Sequence, residues 1–159
     1  LLADQVNSGG ADVVQIFDTW AGLLSNEDYR NLSQIATEKA IQVFREKSKK
    51  FVPLIHYAKG SGHLHNQIRD MDIQGLSLDW RDDMRYNREN YGEMIAFQGN
   101  LDPSKLHGST DVAKEAAARV LKLAGGKPGH IFNLGHGFAP SARIDCVEAV
   151  IRTVCGDIP

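Results

Sequence analysis

The sequence has only two cysteines, Cys146 and Cys155, both near its end and outside any Cys-x-x-Cys spacing. That excludes a disulfide framework and a cysteine-based zinc motif, and it suits a reducing compartment, with the cytoplasm as the expected location. A surplus of one charge is lacking too: 18 Lys and Arg stand against 20 Asp and Glu, for a formal net charge of −2. The densest basic stretch, "KSKK" at 47–50, reads as a helix end whose cations complement the helix dipole. Nucleic acid is therefore not an expected partner. No apolar run reaches the length of a membrane span, and no signal peptide opens the chain. No membrane partner is expected. The first residue is Leu1 rather than Met, so the chain is expected to begin inside a longer protein, with upstream targeting left open.

What is present is a repeating plan on a length sufficient for one packed core, read as a single domain over 1–159. Five short apolar runs recur: "ADVVQIFDT" (11–19), "FVPLIHYAK" (51–59), "QGLSLDW" (74–80), "MIAFQGN" (94–100) and "HIFNLGHG" (130–137). Bounded by Gly, Pro or Asp and rich in Val, Ile, Leu and Phe, they suit strands buried on both faces. Helical patterns lie between them. The stretch from Ser25 has a capping serine with Asp28 three residues on, and it places Leu32, Ile35, Ala36, Ala40, Ile41 and Phe44 on one face. The stretch after Ser109 or Thr110 stops at Gly125. Residues 61–72 and 82–92 are weaker helices. The last stretch is amphipathic, with Ile144, Val147, Val150, Ile151 and Val154 together.

Alternating strands and helices with parallel crossovers define an α/β fold. Polar residues close each run: Asp18 and Thr19, His56 and Lys59, Asp79 and Arg81, Gln98 and Asn100, then His136. An open doubly wound sheet gathers its site at one switch point, whereas a (β/α)8 TIM-type barrel draws on nearly every strand end. The barrel is the expectation, with about five of its eight strand–helix units in this chain.

Four motifs, "QIFDTWAGLLS", "GLSLDW", "FQGNLDP" and "FNLGHG", stand in the order and approximate spacing of the uroporphyrinogen decarboxylase family, and the chain resembles that family from about Ala11 to about Val154. The resemblance covers the C-terminal five units of the family's barrel. It implies that three N-terminal units are absent, and with them an Arg-rich segment and the active-site aspartate and tyrosine.

The resemblance assigns roles residue by residue. His136, between Gly135 and Gly137, reads from the sequence equally as a plug in a Gly-bracketed turn or as a ligand contact with two ring nitrogens. The family likeness favours the contact, as a binding and orienting group. Thr19 keeps the small hydroxyl that meets a substrate carboxylate in the family, and Phe17 matches a ring packed against the macrocycle. Asp18, Lys59, Asp79, Gly135 and Gly137 are expected to support these contacts from behind. No residue here is expected to be the catalytic acid or base. His63 and His65 are two apart, do not share a helix face, and are not expected to hold a metal. Gln98, Asn100 and Asp102 read as turn formers.

The activity implied is a cofactor-free carboxy-lyase on a cyclic tetrapyrrole, uroporphyrinogen, whose four acetate arms become methyl groups, giving coproporphyrinogen in haem biosynthesis. A homodimer is implied as well. The chain alone is expected to be inactive. One alternative is a zinc-dependent, corrinoid-linked methyltransferase of the same superfamily, which places a His-x-Cys pair where this chain reads His56-Tyr57-Ala58. Another is a non-enzymatic half-barrel binding module, which would leave strand edges to be covered.

Overall fold

The computed structural model describes residues 1–156. Five strands, β1 (Val14–Phe17), β2 (Leu54–Tyr57), β3 (Gly75–Ser77), β4 (Ala96–Leu101) and β5 (His130–Leu134), alternate with helices. The α-helices are α1 (Leu2–Asn7), α2 (Asn26–Asp28), α3 (Ile35–Lys47), α4 (His65–Arg69), α5 (Met84–Tyr91), α6 (Thr110–Ala124) and α7 (Ile144–Cys155). The strands follow one another in the order β1-β2-β3-β4-β5. A doubly wound sheet reverses its order at a switch point. This sequential, parallel order does not, and it is the repeat of the TIM-type barrel.

Strands β2 and β3 are buried throughout and β4 nearly so, as their continuous apolar runs require. The outermost two depart from the expectation of burial on both faces. β1 is buried only at Val14, and β5 alternates between half-buried and exposed residues. Each of these strands stands at an end of the strand order, with a neighbour on one side only.

By its contacts the chain divides into two compact units, Leu1–Leu76 and Ser77 onward. In the first, β1 and β2 pair in parallel with Ile16 opposite His56 and Phe17 opposite Tyr57. Arg45 of α3 ties this unit together. Its guanidinium donates to Val52 O at 2.7 Å, to Asp72 Oδ2 at 2.7 Å and to Gln74 Oε1 at 2.8 Å. The same Gln74 oxygen accepts from Leu54 N at 3.0 Å, so one cation links a helix to the starts of two strands.

The expected helix after Ser25 begins as read, with Ser25 Oγ accepting from Asp28 N at 3.1 Å. It then passes through a π-helical stretch, Tyr29–Gln34, before α3. A π-turn inserts one residue and rotates everything that follows relative to a 3.6-residue frame. Tyr29 is accordingly buried, Leu32 and Ile35 are 63% and 58% exposed, and Ala36 and Ala40 are also exposed. Of the six residues expected on the apolar face, Ile41 and Phe44 are the buried ones.

In the second unit β4 and β5 pair in parallel, from Phe97 opposite His130 to Leu101 opposite Leu134. Helix α6 is capped by Ser109 and stopped by Gly125 in the left-handed region (φ 80°). Its Ala113, Ala117 and Val120 pack with Leu101, Leu106, Cys146 and Val150 into one apolar cluster. Helix α7 turns Cys146, Ala149 and Val150 inward, while Ile144 and Ile151 face solvent. The sequence pattern assigned Ile144 and Ile151 to the packed face because it weighed large aliphatics above the small residues that fit close against α6. Arg88 of α5 donates to the carbonyls of Ala124, Lys127, Pro128 and Gly129 at 2.8–3.2 Å, gathering the α6–β5 turn.

Candidate functional site

At the C-terminal end of β1, alternation sends neighbours to opposite faces of the sheet. Phe17 leaves on the face it shares with Tyr57, their rings 5.9 Å apart and edge to face, and it stays 68% exposed. Asp18 leaves on the other face. Its main-chain N–H donates to Tyr57 O at 2.8 Å, extending the β1–β2 ladder by one bond. Its carboxylate accepts from the Ser33 hydroxyl in the π-helical stretch. Asp18 is thus turned toward the helices, away from the face that Phe17 occupies. Thr19 follows, half-buried, at the start of the loop.

Two polar side chains of this unit are buried and feel the Asp18 charge. His56 is fully buried in β2, with neither ring nitrogen bonded among the described residues. Burial lowers its pKa to about 4, against a smaller upward pull from the Asp18 charge. The phenol of Tyr29 is also buried and unbonded, and its pKa is raised, first by burial and then by the Asp18 and Glu38 charges. The sequence reading passed over Tyr29 and Ser33. Their i, i+4 spacing was the available signal, hidden because it falls in a π-turn.

The β2 end carries Lys59 in a half-buried loop. That loop lies hard against the one after β1: a Cβ on Gly22 would stand 2.0 Å from Lys59 O. Only glycine fits there. Nearby, His63 Nε2 lies 2.9 Å from Leu24 O and is exposed, whereas His65 is buried. The two rings diverge. Among the described residues no group of three His, Cys, Asp or Glu is placed to hold a metal ion.

In the second unit the β3 end carries a close set of side-chain bonds. Asp79 is fully buried, and its carboxylate accepts from Arg81 N at 2.7 Å and from Arg81 Nε at 3.0 and 3.1 Å, with Arg81 Nη2 completing the fork. Its own N–H donates to Asp82 Oδ2 at 3.1 Å. Burial and the Asp79 charge push the Asp82 carboxyl up to about 6. Asn100, expected in a turn, is a buried residue of β4 whose Nδ2 donates to Asp79 O at 2.9 Å and Asp82 O at 2.8 Å. Gln98 is likewise a buried strand residue, donating to Ser77 Oγ at 3.0 Å. Asp102 is the turn former of the three, capping a 3-10 turn over Pro103–His107. The sequence reading took these residues for loop formers because buried amides in a strand look the same as turn amides until their partners are known.

His136 lies just past β5. Its ring centroid is 6.2 Å from that of Trp80, the planes tilted by 31°. The two bracketing glycines differ. A Cβ on Gly135 would stand 2.3 Å from Trp80 N and 2.8 Å from Trp80 Cα, so glycine is required for the β5 end to pass the β3 end. A Cβ on Gly137 would meet nothing within 4 Å. The structure therefore brings together Asp79, Gly135 and His136 in this unit, and Phe17, Asp18, Thr19 and Lys59 at neighbouring strand ends in the other. A cavity of 590 Å³ opens beside the β3 end, with Trp80, Arg81, Asp82, Arg85, Lys105 and Arg119 in its wall. Among the described residues no helix is long and apolar enough to cross a membrane.

Sequential parallel strands with polar residues at their C-terminal ends define a barrel-type α/β fold. A methyltransferase from Methanosarcina mazei has a similar fold, with a TM-score of 0.76 at 22% identity over 95% of this chain and 44% of that one. The family model described as uroporphyrinogen decarboxylase matches residues 1–156, and the chain belongs to that family. It is 41% identical over 150 residues to a uroporphyrinogen decarboxylase of Coxiella burnetii, and 39% identical over 152 residues to one of Koribacter versatilis. These alignments cover 91% and 96% of this chain but 40% and 42% of the relatives, so the chain spans about two fifths of their length.

Proposed function

We propose that the chain forms part of a uroporphyrinogen decarboxylase that converts the four acetate arms of uroporphyrinogen to methyl groups, giving coproporphyrinogen. The observation that carries this reading is the family match through residue 156, which spans both the β1 end with Phe17 and Thr19 and the β5 end with His136. The chemistry asks for little from a cofactor. Protonation of a pyrrole carbon makes the ring an electron sink. The bond to the carboxylate breaks, its electron pair enters the ring, and carbon dioxide leaves. Proton addition at the exocyclic carbon gives the methyl group, and loss of the ring proton restores the pyrrole. The protein has to favour positive charge on the ring and hold several carboxylates.

In this reading the Thr19 hydroxyl donates to a carboxylate arm, His136 orients a second polar group, and Phe17 packs on the macrocycle. The engagement of Asp18 by Ser33 supports a supporting role for Asp18 rather than a charge in the cleft. A homodimer working in the cytoplasm belongs to the same proposal. The chain by itself supplies one side of the cleft and does not turn over.

Purified residues 1–159 should release no carbon dioxide from uroporphyrinogen, yet quench the fluorescence of the oxidised octacarboxylate, uroporphyrin, in a saturable way. Thr19→Ala and His136→Ala should each weaken that binding about tenfold, the value of one hydrogen bond to a charged group. Binding indifferent to both substitutions, or none at all, would overturn the reading.

A further inference from the structure

We infer that Trp80 is the positioning residue for His136, and that Arg81, held on buried Asp79, fixes Trp80 in turn. The inference rests on the proposed role of His136, but its geometry is independent of that role. A histidine after a strand, between two glycines, has little local restraint: Gly137 has open space around it and no side chain of its own. Restraint has to come from tertiary contacts, and two reach it from the β3 end. The backbone of Gly135 is pressed against Trp80 N and Cα so closely that a methyl group does not fit. The Trp80 ring then lies 6.2 Å from the imidazole, centroid to centroid, within the range of ring–ring contact.

Trp80 is itself braced. The Arg81 guanidinium carbon sits 4.8 Å from the indole centroid, a cation–π contact. The guanidinium has little rotational freedom, because Nε and Nη2 are both committed to the Asp79 carboxylate. Asp79 is fully buried, and Asn100 fixes its backbone carbonyl and that of Asp82. The order of support is thus Asn100 to Asp79, Asp79 to Arg81, Arg81 to Trp80, and Trp80 to His136. The Asp79 carboxylate also pairs with the Arg81 charge. Trp80 acts through His136 and is not itself a catalytic residue.

Two measurements test this. The chain has two tryptophans, so Trp20→Phe leaves Trp80 as the sole indole emitter. An imidazole in ring contact shields part of the indole from solvent. In the Trp20→Phe background His136→Ala should therefore raise the acrylamide quenching constant of Trp80 roughly twofold, whereas Gly137→Ala, in open space, should leave it unchanged. A quenching constant that does not move in His136→Ala overturns the pairing whatever the protein's activity.

The second measurement is a double-mutant cycle on uroporphyrin binding. Trp80→Ala should weaken binding about tenfold and Trp80→Phe should restore most of it, while Trp80→Ala added to His136→Ala should cost less than about twofold more. Full additivity would mean that Trp80 does not act through His136. If uroporphyrin fails to bind at all, the proposed function fails, and the acrylamide quenching of Trp80 still decides the pairing.

Discussion

The Ser33 hydroxyl donates to the Asp18 carboxylate across fifteen residues, joining the end of β1 to the π-helical stretch that precedes α3. The bond sets the direction of Asp18 and, with it, the path of the chain into Thr19. The π-turn is what places Ser33 here: a regular helix would carry it about 100° around from this position.

Ser33→Ala leaves that carboxylate oxygen without its protein donor. Because Asp18 is only half-buried, water replaces part of the loss, and a cost of about 1 kcal/mol is expected in urea unfolding at unchanged slope. Ser33→Thr should keep the hydroxyl and most of the stability. Equal losses in both variants would mean that the bond contributes nothing.

Gly135→Ala forces a methyl group to within 2.3 Å of Trp80 N, and backbone atoms cannot give way as a flexible side chain would. A loss of about 1–3 kcal/mol is expected. Gly137→Ala, with open space around it, should stay within about 0.5 kcal/mol of the parent. Paired thermal melts separate the two, and similar melting temperatures would contradict the close approach.

His56 makes stability depend on pH. Its pKa falls from an ordinary 6.5 to about 4 in the folded chain, so between those values the unfolded chain binds more protons. Stability attributable to His56 is therefore complete above pH 6.5 and drains away as pH falls toward 4, by about 3 kcal/mol in all. His56→Leu removes a buried ring with no bonded nitrogen, and should be close to neutral at pH 7.5 but more stable than the parent at pH 4.5. Urea midpoints at the two pH values provide the check. A parent and variant with the same pH slope would refute it.

Asn100→Ala removes one donor from each of two carbonyls, those of Asp79 and Asp82. The expected loss is about 2–3 kcal/mol, larger than for a typical polar truncation because two bonds are lost together and Asp79 is buried. Hydrogen exchange should show the 79–82 segment losing protection first. An even loss across the chain would point to general destabilisation instead.

The strand positions were legible in the sequence because apolar runs ending in Gly, Pro or Asp mark buried strands whatever their neighbours. The fold class was legible for the same reason. Helix faces were not. Leu32 and Ile35 looked like core residues because a periodicity argument assumes one helical pitch, and nothing local announces the π-turn at Tyr29. Ile144 and Ile151 misled differently, since hydrophobicity says a residue can be buried, not that a neighbour is there to bury it. Among the site residues, Gly135 was read for ligand approach, and the structure adds a requirement the sequence did not show, the close passage of Trp80. The Asp79–Arg81–Trp80 brace is written in three adjacent letters, yet its meaning depends on Asn100, some twenty residues on.

Arg88 holds four carbonyls of the turn between α6 and β5 from a helix that precedes both. Gly129 O also accepts from Phe97 N of β4 at 2.8 Å, which ties the same anchor into the sheet, so when α5 frays, the loop beyond α6 and the start of the β4–β5 ladder loosen together. Segments some forty residues apart should then open as one cooperative piece, and a local disturbance at Tyr91 or Gly92 would be felt where the last strand begins.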